Sequence, residues 1–272
     1  MKLSFMTFLY PQLSYEGIIA KALQFGYQGI EWRAEANHNH GVELDVPTAQ
    51  IHTIRQSVAD AGLETSCLAV SSRFCSPDVA ERDANLERLA RYVELAGEIG
   101  APCIRIFADP IPNTGRGGRA ESYRYQAAYL RRAAENAAQG GVKLALETHS
   151  VFRAFDAGEV MYQAAYPSAL RINWHLAHCI NNGEDVDEAY RHVKGRVIHA
   201  HFGFYGKPKD KSAERPSNKH FVERQMELLA DEGFQGYFSL EMNLKDEAES
   251  DYFMADHAAA WKAIYQRLYP NG

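Results

Sequence analysis

Residues 140–149 read GGVKLALETH, and this stretch contains the structural unit that the rest of the chain repeats. Two glycines lead into the short apolar run Lys143–Glu147, which is followed by the polar side chains of Thr148 and His149. A short apolar run bounded by glycine predicts a buried strand, and a glycine before it suits the left-handed end of a helix. The stretch therefore predicts a helix-to-strand joint and a polar strand end.

The same unit recurs along the whole chain. The predicted strands are Lys2–Phe8, Gly29–Arg33, Glu64–Val70, Cys103–Phe107, Lys143–Glu147, Arg171–His175, Val197–His201 and Tyr237–Glu241. Between them, apolar residues recur at helical spacing, as at Ile51, Ile54, Val58 and Ala61 and at Leu86, Leu89, Val93 and Ala96. Glycines follow these helical stretches at Gly26, Gly62, Gly100, Gly140, Gly195 and Gly233.

Strands that alternate with helices predict βαβ units and a parallel sheet. We expect an α/β fold, a single (β/α)8 TIM barrel over residues 1–272, although an open doubly wound sheet fits the same alternation. A short repeated segment favours a closed barrel, because FGYQG at residues 25–29 resembles EGFQG at residues 232–236. One joint repeated at both ends of the chain suits a closed barrel better than two domains.

Bulk composition limits the function classes. The 272 residues carry a formal charge of −6, which argues against nucleic acid or an anionic membrane as the main partner. No apolar stretch approaches the roughly 20 residues of a membrane helix. Cys67, Cys75, Cys103 and Cys179 form neither a CxxC pair nor a dense secreted framework, so we expect reduced thiols and a cytoplasmic protein.

Carboxylates and imidazoles stand at four consecutive predicted strand ends. These residues are Glu147, then His175 and His178, then His199 and His201, and finally Glu241. A lone histidine is more often a core or surface residue, but this joint pattern indicates a site, because the carboxyl ends of barrel strands meet at one face. Mixed nitrogen and oxygen donors suit Mn, Zn, Co or Fe(II). We therefore predict one divalent metal held by carboxylates and imidazoles at these strand ends.

Five short segments carry a resemblance to a known family. They are ALETH (145–149), HLAH (175–178), HAHF (199–202), SLE (239–241) and CIRIF (103–107). Together they resemble the xylose-isomerase-like TIM-barrel superfamily, over essentially the whole chain. The resemblance implies a metal-dependent isomerase or epimerase that removes a proton next to the carbonyl of a sugar or sugar-like ketone.

The resemblance also implies roles for single residues. Glu147 and Glu241 would be metal ligands and the acid/base pair, and His201 an imidazole ligand. Arg105 and His178 would contact the substrate. Three further polar residues complete the predicted substrate contacts, namely Glu31 on the second strand, His149 after the fifth and Lys207 in the basic loop after the seventh. For Lys207 a solvated surface loop is the favoured explanation, and a contact with a phosphate, carboxylate or sugar hydroxyl is the alternative.

One position departs from the family pattern. The sixth strand of the family ends in Asp-x-x-His, whereas the chain has His175 where that aspartate stands. A neutral imidazole in place of a carboxylate raises the charge of the site by one unit and moves its preference away from Mg. If His175 points elsewhere, the site is weakened and the chain is a non-catalytic binding relative with a degraded metal site.

Several alternatives stay open at this stage. A metal-dependent dehydratase of a cyclic polyol ketone or of 3-dehydroshikimate uses the same two carboxylates, because loss of a β-hydroxyl can follow the same proton abstraction. An apurinic endonuclease needs more metal ligands and a DNA-binding face, which a chain of charge −6 does not supply. The expected partner is a small carbohydrate-like molecule, and the resemblance also admits a homodimer.

Overall fold

The protein is a closed parallel barrel in a computed structural model that describes residues 1–111, 115–206, 215–242, 244 and 246–270. Each strand pairs in parallel with the next, and β1 closes the ring against β8 with Ser4 opposite Ser239. The strands are β1 Lys2–Met6, β2 Gly29–Arg33, β3 Glu64–Arg73, β4 Cys103–Phe107, β5 Lys143–Glu147, β6 Leu170–Asn173, β7 Val197–Phe202 and β8 Tyr237–Leu240. The predicted (β/α)8 barrel is confirmed, and the open sheet is excluded.

Helices follow the strands and pack outside the ring. They are α1 Tyr15–Phe25, α2 Thr48–Asp60, α3 Val79–Ile99, α4 Gly115–Gln139, α5 Ala154–Gln163, α6 Leu176–Asn181, α7 Val186–Val193, α8 Lys219–Asp231 and α9 Glu247–Leu268. The predicted apolar stripes of α2 and α3 are buried, except that Ala61 lies just beyond α2 and is half-buried. The left-handed residue before β5 is Gly141 and not the expected Gly140.

Three strands end earlier than the sequence predicts. β1 stops at Met6 because Thr7 begins a short 3-10 turn, and its hydroxyl accepts the backbone N–H of Arg33 at 2.9 Å. β6 stops at Asn173 and β8 at Leu240, so the functional side chains after them stand just beyond the ladder. β3, in contrast, continues past the expected Val70 to Arg73.

Alternation along the strands separates an apolar shell from a polar interior. Ile30, Leu68, Ile104, Leu144 and Phe238 are fully buried in the main hydrophobic cluster. Their strand neighbours lie on the other face of the sheet, because side chains alternate along a strand. Those neighbours include Glu31, Cys67, Cys103, Arg105, Ala145, Glu147 and Ser239, which are all buried. The barrel interior therefore carries the ionisable groups, and the helices cover its apolar outside.

The thiols and helices complete the description of the scaffold. All four cysteines are buried and free, and Cys67 and Cys103 form a small interior cluster with Ala145. Among the residues that the structure describes, no helix combines the length and the apolar character needed to cross a bilayer.

Candidate metal centre

Four ligand-type side chains meet at the carboxyl end of the barrel. One atom each from Glu147, His175, His201 and Glu241 can be chosen so that all lie within 4.8 Å of one another. Glu147 Oε1 is 2.9 Å from Nδ1 of His175 and 3.0 Å from Nδ1 of His201. Glu241 Oε2 is 3.2 Å and 2.9 Å from the same two nitrogens. The structure thus brings together the four residues predicted as ligands.

Local structure fixes each of these side chains. Glu147 ends β5 and His201 lies within β7, so both are held by the barrel ladder. Glu241 follows β8 directly, and its backbone N–H still donates to the carbonyl of Phe202 at 3.1 Å. His175 precedes α6, where Thr148 Oγ1 accepts its N–H at 2.9 Å and donates to its carbonyl at 3.2 Å. The imidazole that replaces the family's aspartate is therefore positioned by a hydroxyl on the neighbouring strand.

A buried carboxylate lies behind His201. Both oxygens of Glu31 approach His201 Nε2, at 3.0 and 3.1 Å, and Oε2 is also 2.9 Å from Nε2 of His199. Because Nε2–H of His201 is the natural donor to Glu31, Nδ1 keeps its lone pair for the centre formed by Glu147 and Glu241. Glu31, which we expected to contact substrate, is fully buried beneath the histidine.

Arg105 is likewise buried beside the ligands. Its Nε is 3.2 Å from Glu147 Oε2, and one terminal nitrogen donates to the carbonyl of Val70 at 2.9 Å. Burial alone would raise the pKa of Glu147, but the charges of His201 and Arg105 outweigh it and hold that pKa below its usual range. The carboxylate of Glu147 is therefore kept ionised.

The pKa values of the two imidazoles are shifted in the opposite direction, upward. Burial alone would lower the pKa of His201, yet Glu31, Glu241 and Glu147 raise it well above its usual value. The pKa of His175 is also raised, because the carboxylates of Glu147 and Glu241 beside its Nδ1 outweigh the effect of burial. Without a metal, the carboxylates therefore favour protonated imidazoles at the centre. A metal ion would compete with these protons for the imidazole nitrogens.

The atoms at the centre fit a cation. Glu241 Oε2 lies 2.9 Å from His201 Nδ1 but makes no hydrogen bond with a described residue, although it is buried. Glu147 Oε2 is also buried without a hydrogen-bond partner among the described residues. Glu241 Oε2 therefore faces the two imidazole nitrogens outside hydrogen-bond geometry, as ligand atoms around a common ion do. Two nitrogens and two oxygens suit Zn, Mn, Co or Fe.

Two more histidines lie beside this centre. The His178 ring is 4.2 Å from the ring of His175 and 4.7 Å from that of His149, measured between centroids. His149 Nδ1 is 2.8 Å from Asp109 Oδ1, and its side chain is 31% exposed. Burial and the neighbouring His175 lower the pKa of His178 to about 3, so it is a neutral hydrogen-bonding group. The predicted substrate contacts His149 and His178 therefore lie together on one side of the centre.

Other sequence expectations have different outcomes. Lys207 lies outside the described residues. Asp109 was missed because nothing distinguishes an aspartate after β4 from an ordinary loop residue. Arg33 stood at a strand end without an assigned role. It donates to Ser71 Oγ at 2.7 Å and to the carbonyl of Ala69 at 3.2 Å, and its charge is near enough to act on Glu241.

Solved structures share this architecture. One is a D-psicose 3-epimerase in the presence of D-fructose, with a TM-score of 0.76, 17% identity and complete coverage of both chains. Another is a 3-keto-D-glucoside 4-epimerase from E. coli, with a TM-score of 0.75, 16% identity and coverage of 96% of this chain and 98% of that one. A probable 3-DHS dehydratase from Bacillus anthracis has a TM-score of 0.72, 19% identity and coverage of 93% and 97%. At these identities the likeness shows the fold.

Family membership rests on the sequence itself. No curated protein matches the chain. The family model described as xylose isomerase-like TIM barrel, in contrast, matches residues 19–263. Since that match spans most of the chain and the barrel is closed, this protein belongs to the xylose isomerase-like TIM-barrel family.

Proposed function

We propose that the protein is a divalent-metal-dependent isomerase or epimerase acting on a sugar or sugar-like ketone. The observation that carries the proposal is the convergence of Glu147 and Glu241 with two imidazoles at the carboxyl end of the barrel. Buried carboxylates this close to each other repel unless a cation or protons lie between them. The fold shared with sugar epimerases supports this reading.

The chemistry requires a base, an acid and stabilisation of negative charge. A metal held by Glu147, His175, His201 and Glu241 would supply positive charge beside the substrate carbonyl, where the charge of an enediolate develops. One of the two carboxylates removes the proton next to the carbonyl, and the other returns a proton from the opposite face. Glu147 is fully buried and Glu241 is 21% exposed, so the pair spans the depth of the site. Return to the opposite face inverts the carbon, which is epimerisation.

The residues around the ligands divide into two groups. His178 and His149 border the centre and are placed to donate to substrate oxygens. Arg105 and Glu31 are buried behind Glu147 and His201, so we assign them to positioning and charge balance in place of the substrate contact first expected. A carboxylate behind a ligating histidine fixes its ring and tautomer. Lys207 stays a prediction.

A dehydratase is the second candidate, and one observation favours it. The Asp109 carboxylate, 2.8 Å from His149 Nδ1, orients a histidine that is partly open to solvent beside the centre. Such a histidine can protonate a hydroxyl that leaves after proton abstraction. The two candidates therefore share the metal and the base, and they differ in the fate of a β-hydroxyl.

The first experiment is elemental analysis of protein purified without a histidine tag. Wild type and His175→Ala are compared, with the exposed His52→Ala as the matched control. We expect near-stoichiometric Mn, Zn, Co or Fe in wild type and His52→Ala, and a clear loss in His175→Ala. An absence of metal in wild type, even after incubation with each ion, rejects the enzymatic proposal and favours the non-catalytic binding relative.

The second experiment tests the reaction. Metal-loaded protein is incubated in D2O with a panel of ketoses and polyol ketones. We expect deuterium at the carbon next to the carbonyl, and its loss in Glu147→Gln and Glu241→Gln but not in the distant Glu64→Gln. Retention of all substrate atoms indicates the epimerase, and loss of water indicates the dehydratase. Exchange that survives in both site variants contradicts the assigned acid/base pair.

A further inference from the structure

A cavity of about 340 Å³ lies among the segments that follow strands β4, β5 and β6 at the carboxyl end of the barrel. Its described lining residues are Ile111, Arg119, Val151, Arg153 and Asn182. They come from the segments that follow β4, β5 and β6, which also carry Asp109, His149 and His178. The cavity is therefore formed by the same segments that carry the two histidines beside the centre.

One buried carboxylate holds both arginines in place. Asp156, which is fully buried, has Oδ1 3.6 Å from a terminal nitrogen of Arg119 and Oδ2 3.3 Å from Nε of Arg153. Tyr123 also donates its hydroxyl to Asp156. Among the described residues that line the cavity, the charged ones are Arg119 and Arg153. Since two guanidiniums share one carboxylate, the lining carries excess positive charge.

The nearby acidic group does not cancel this excess within the lining. Glu184 is buried and accepts the backbone N–H groups of Ala154 and Phe155, both at 2.9 Å. The negative charge of Glu184 therefore interacts with the backbone N–H groups of the first turn of α5. Among the described residues, the terminal nitrogens of Arg153 have no hydrogen-bond acceptor, and Arg119 has its single ion pair. These free N–H groups suit an anion, because guanidinium binds phosphate and carboxylate bidentately.

The walls of the cavity are joined to the substrate histidines. The side-chain amide of Asn182 donates to the carbonyl of His178 at 2.7 Å and to that of Ser150 at 2.6 Å. Val151, which is 42% exposed, follows His149 by two residues. A ligand that lies along His149 and His178 can thus have one end at the metal centre and the other in the cavity.

We propose that this cavity binds the anionic group of the substrate, which is accordingly a sugar or polyol ketone bearing a phosphate or a carboxylate. The proposal rests on the proposed function for the role of the metal end. Among the described residues, Arg119 and Arg153 provide the anion contacts, and neither is a proposed metal ligand. Anion binding and metal binding can therefore be measured separately.

The first test titrates metal-free protein with inorganic phosphate by calorimetry. Val151→Glu adds a negative charge at the cavity without touching the Asp156 ion pairs, and Val151→Gln is its neutral match. We expect Val151→Glu to weaken phosphate binding by roughly tenfold or more and Val151→Gln to leave it near wild type, because like charges repel at close range. Arg153→Gln should weaken it as well, while the exposed Arg91→Gln should not. Absence of phosphate binding in wild type, or equal binding by the two Val151 variants, overturns the site.

The second test identifies the source of the anion in metal-loaded protein. D-fructose is compared with D-fructose 6-phosphate, and D-galactose with D-galacturonate. At least tenfold tighter binding of the phosphorylated member, lost in Val151→Glu, indicates a sugar phosphate, and the same result with the uronate indicates a sugar acid. Equal binding within both pairs overturns the proposal.

Metal content of the same samples separates the two proposals. Phosphate binding that responds to Val151→Glu in a protein without metal supports the anion site and rejects the metal-dependent function. Stoichiometric metal without any preference for the charged sugars supports the metal centre and rejects the anion site.

Discussion

His175 gives the centre a second imidazole where the family pattern has a carboxylate. Its Nδ1 lies 2.9 Å from Glu147 and 3.2 Å from Glu241, which is within reach of the same ion. We predict that His175→Asp keeps metal binding but moves its preference toward Mn and Mg, because hard cations prefer oxygen ligands. Competition titrations of Zn against Mn in both proteins measure the change. Unaltered selectivity shows that His175 is not a ligand.

Single residues show which part of the site the sequence could predict. Glu147, His201 and Glu241 could be predicted from the sequence because each stands at or just beyond the end of an apolar strand pattern. Arg105 and Glu31 were read as substrate contacts but lie behind the ligands. Strand alternation predicts which face a side chain occupies, but it does not predict the depth of that side chain in the barrel. Depth depends on strand stagger, which is a property of the closed sheet.

One hydroxyl connects the end of β5 to the residue before α6. Thr148 Oγ1 bonds both the N–H and the carbonyl of His175, at 2.9 and 3.2 Å. We predict that Thr148→Val weakens metal binding about tenfold with the barrel still folded, since a valine of similar shape removes both hydrogen bonds and frees the imidazole. Thr148→Ser keeps the hydroxyl and should bind as wild type does. Equal metal affinities for the valine and serine variants, by calorimetry, would contradict this positioning role.

Element boundaries were predictable where local chemistry decides them. The bounds of β2, β4 and β5 agree with the sequence prediction, because glycine or a polar turn closes each run. The sequence prediction extended β6 too far. The N–H of His175 donates to Thr148 Oγ1 in place of a neighbouring strand, and no local sequence pattern predicts that contact. Gly141 and not Gly140 is the left-handed residue, whereas glycine at position 140 makes room for α3, because an added Cβ there would lie 2.4 Å from Val93. Tertiary packing decided both cases.

Helix α9 contains a buried neutral histidine that makes folding sensitive to acid. His257 donates from Nδ1 to the carbonyl of Phe253 at 2.8 Å and accepts the N–H of Phe204 at 2.9 Å. Burial lowers its pKa to about 4, from 6.5 in the unfolded chain. Between these values the unfolded state binds more protons, so stability is present above pH 6.5 and is lost as pH falls toward 4.

We predict a loss of about 2 kcal/mol from this histidine between pH 7.5 and pH 5. Urea unfolding of wild type and His257→Gln at both pH values gives its share, because the glutamine does not titrate and the variant should lose correspondingly less stability. The exposed His52→Gln is the control and should keep the wild-type dependence. Identical pH dependence in wild type and His257→Gln rules out this contribution.

At the scale of the whole molecule, the proposed ligands all come from the second half of the barrel. They follow or lie in β5, β6, β7 and β8, while β2, β3 and β4 contribute none of them. We predict that metal addition slows amide exchange most in β5–β8. A metal at a hundredfold its Kd should stabilise the fold by about 2.7 kcal/mol, because it binds only the folded state. Hydrogen–deuterium exchange with and without metal is the measurement, and uniform slowing around the ring argues against this placement.

Closure was the part of the global fold that pattern alone left open. Alternating strands and helices are common to open sheets and to barrels. The similarity of residues 25–29 to residues 232–236 favoured a closed barrel. The structure confirms the closed barrel through the pairing of β1 with β8. That pairing joins residues far apart in sequence, so no local preference encodes it. Fold class was therefore predictable, whereas the register that closes the ring came only from the structure.

The pairing of β1 with β8 also sets an order of events during synthesis. Strand β1 leaves the ribosome before the other strands, but its partner at Tyr237–Leu240 and the proposed ligand Glu241 emerge among the last residues of the barrel. A nascent chain can assemble its early βα units as they appear, yet its sheet has two open edges until translation passes β8. Binding of a metal by all four proposed ligands therefore requires that translation has passed residue 241, and a chain stalled before that residue lacks both the seam of the barrel and one wall of its site.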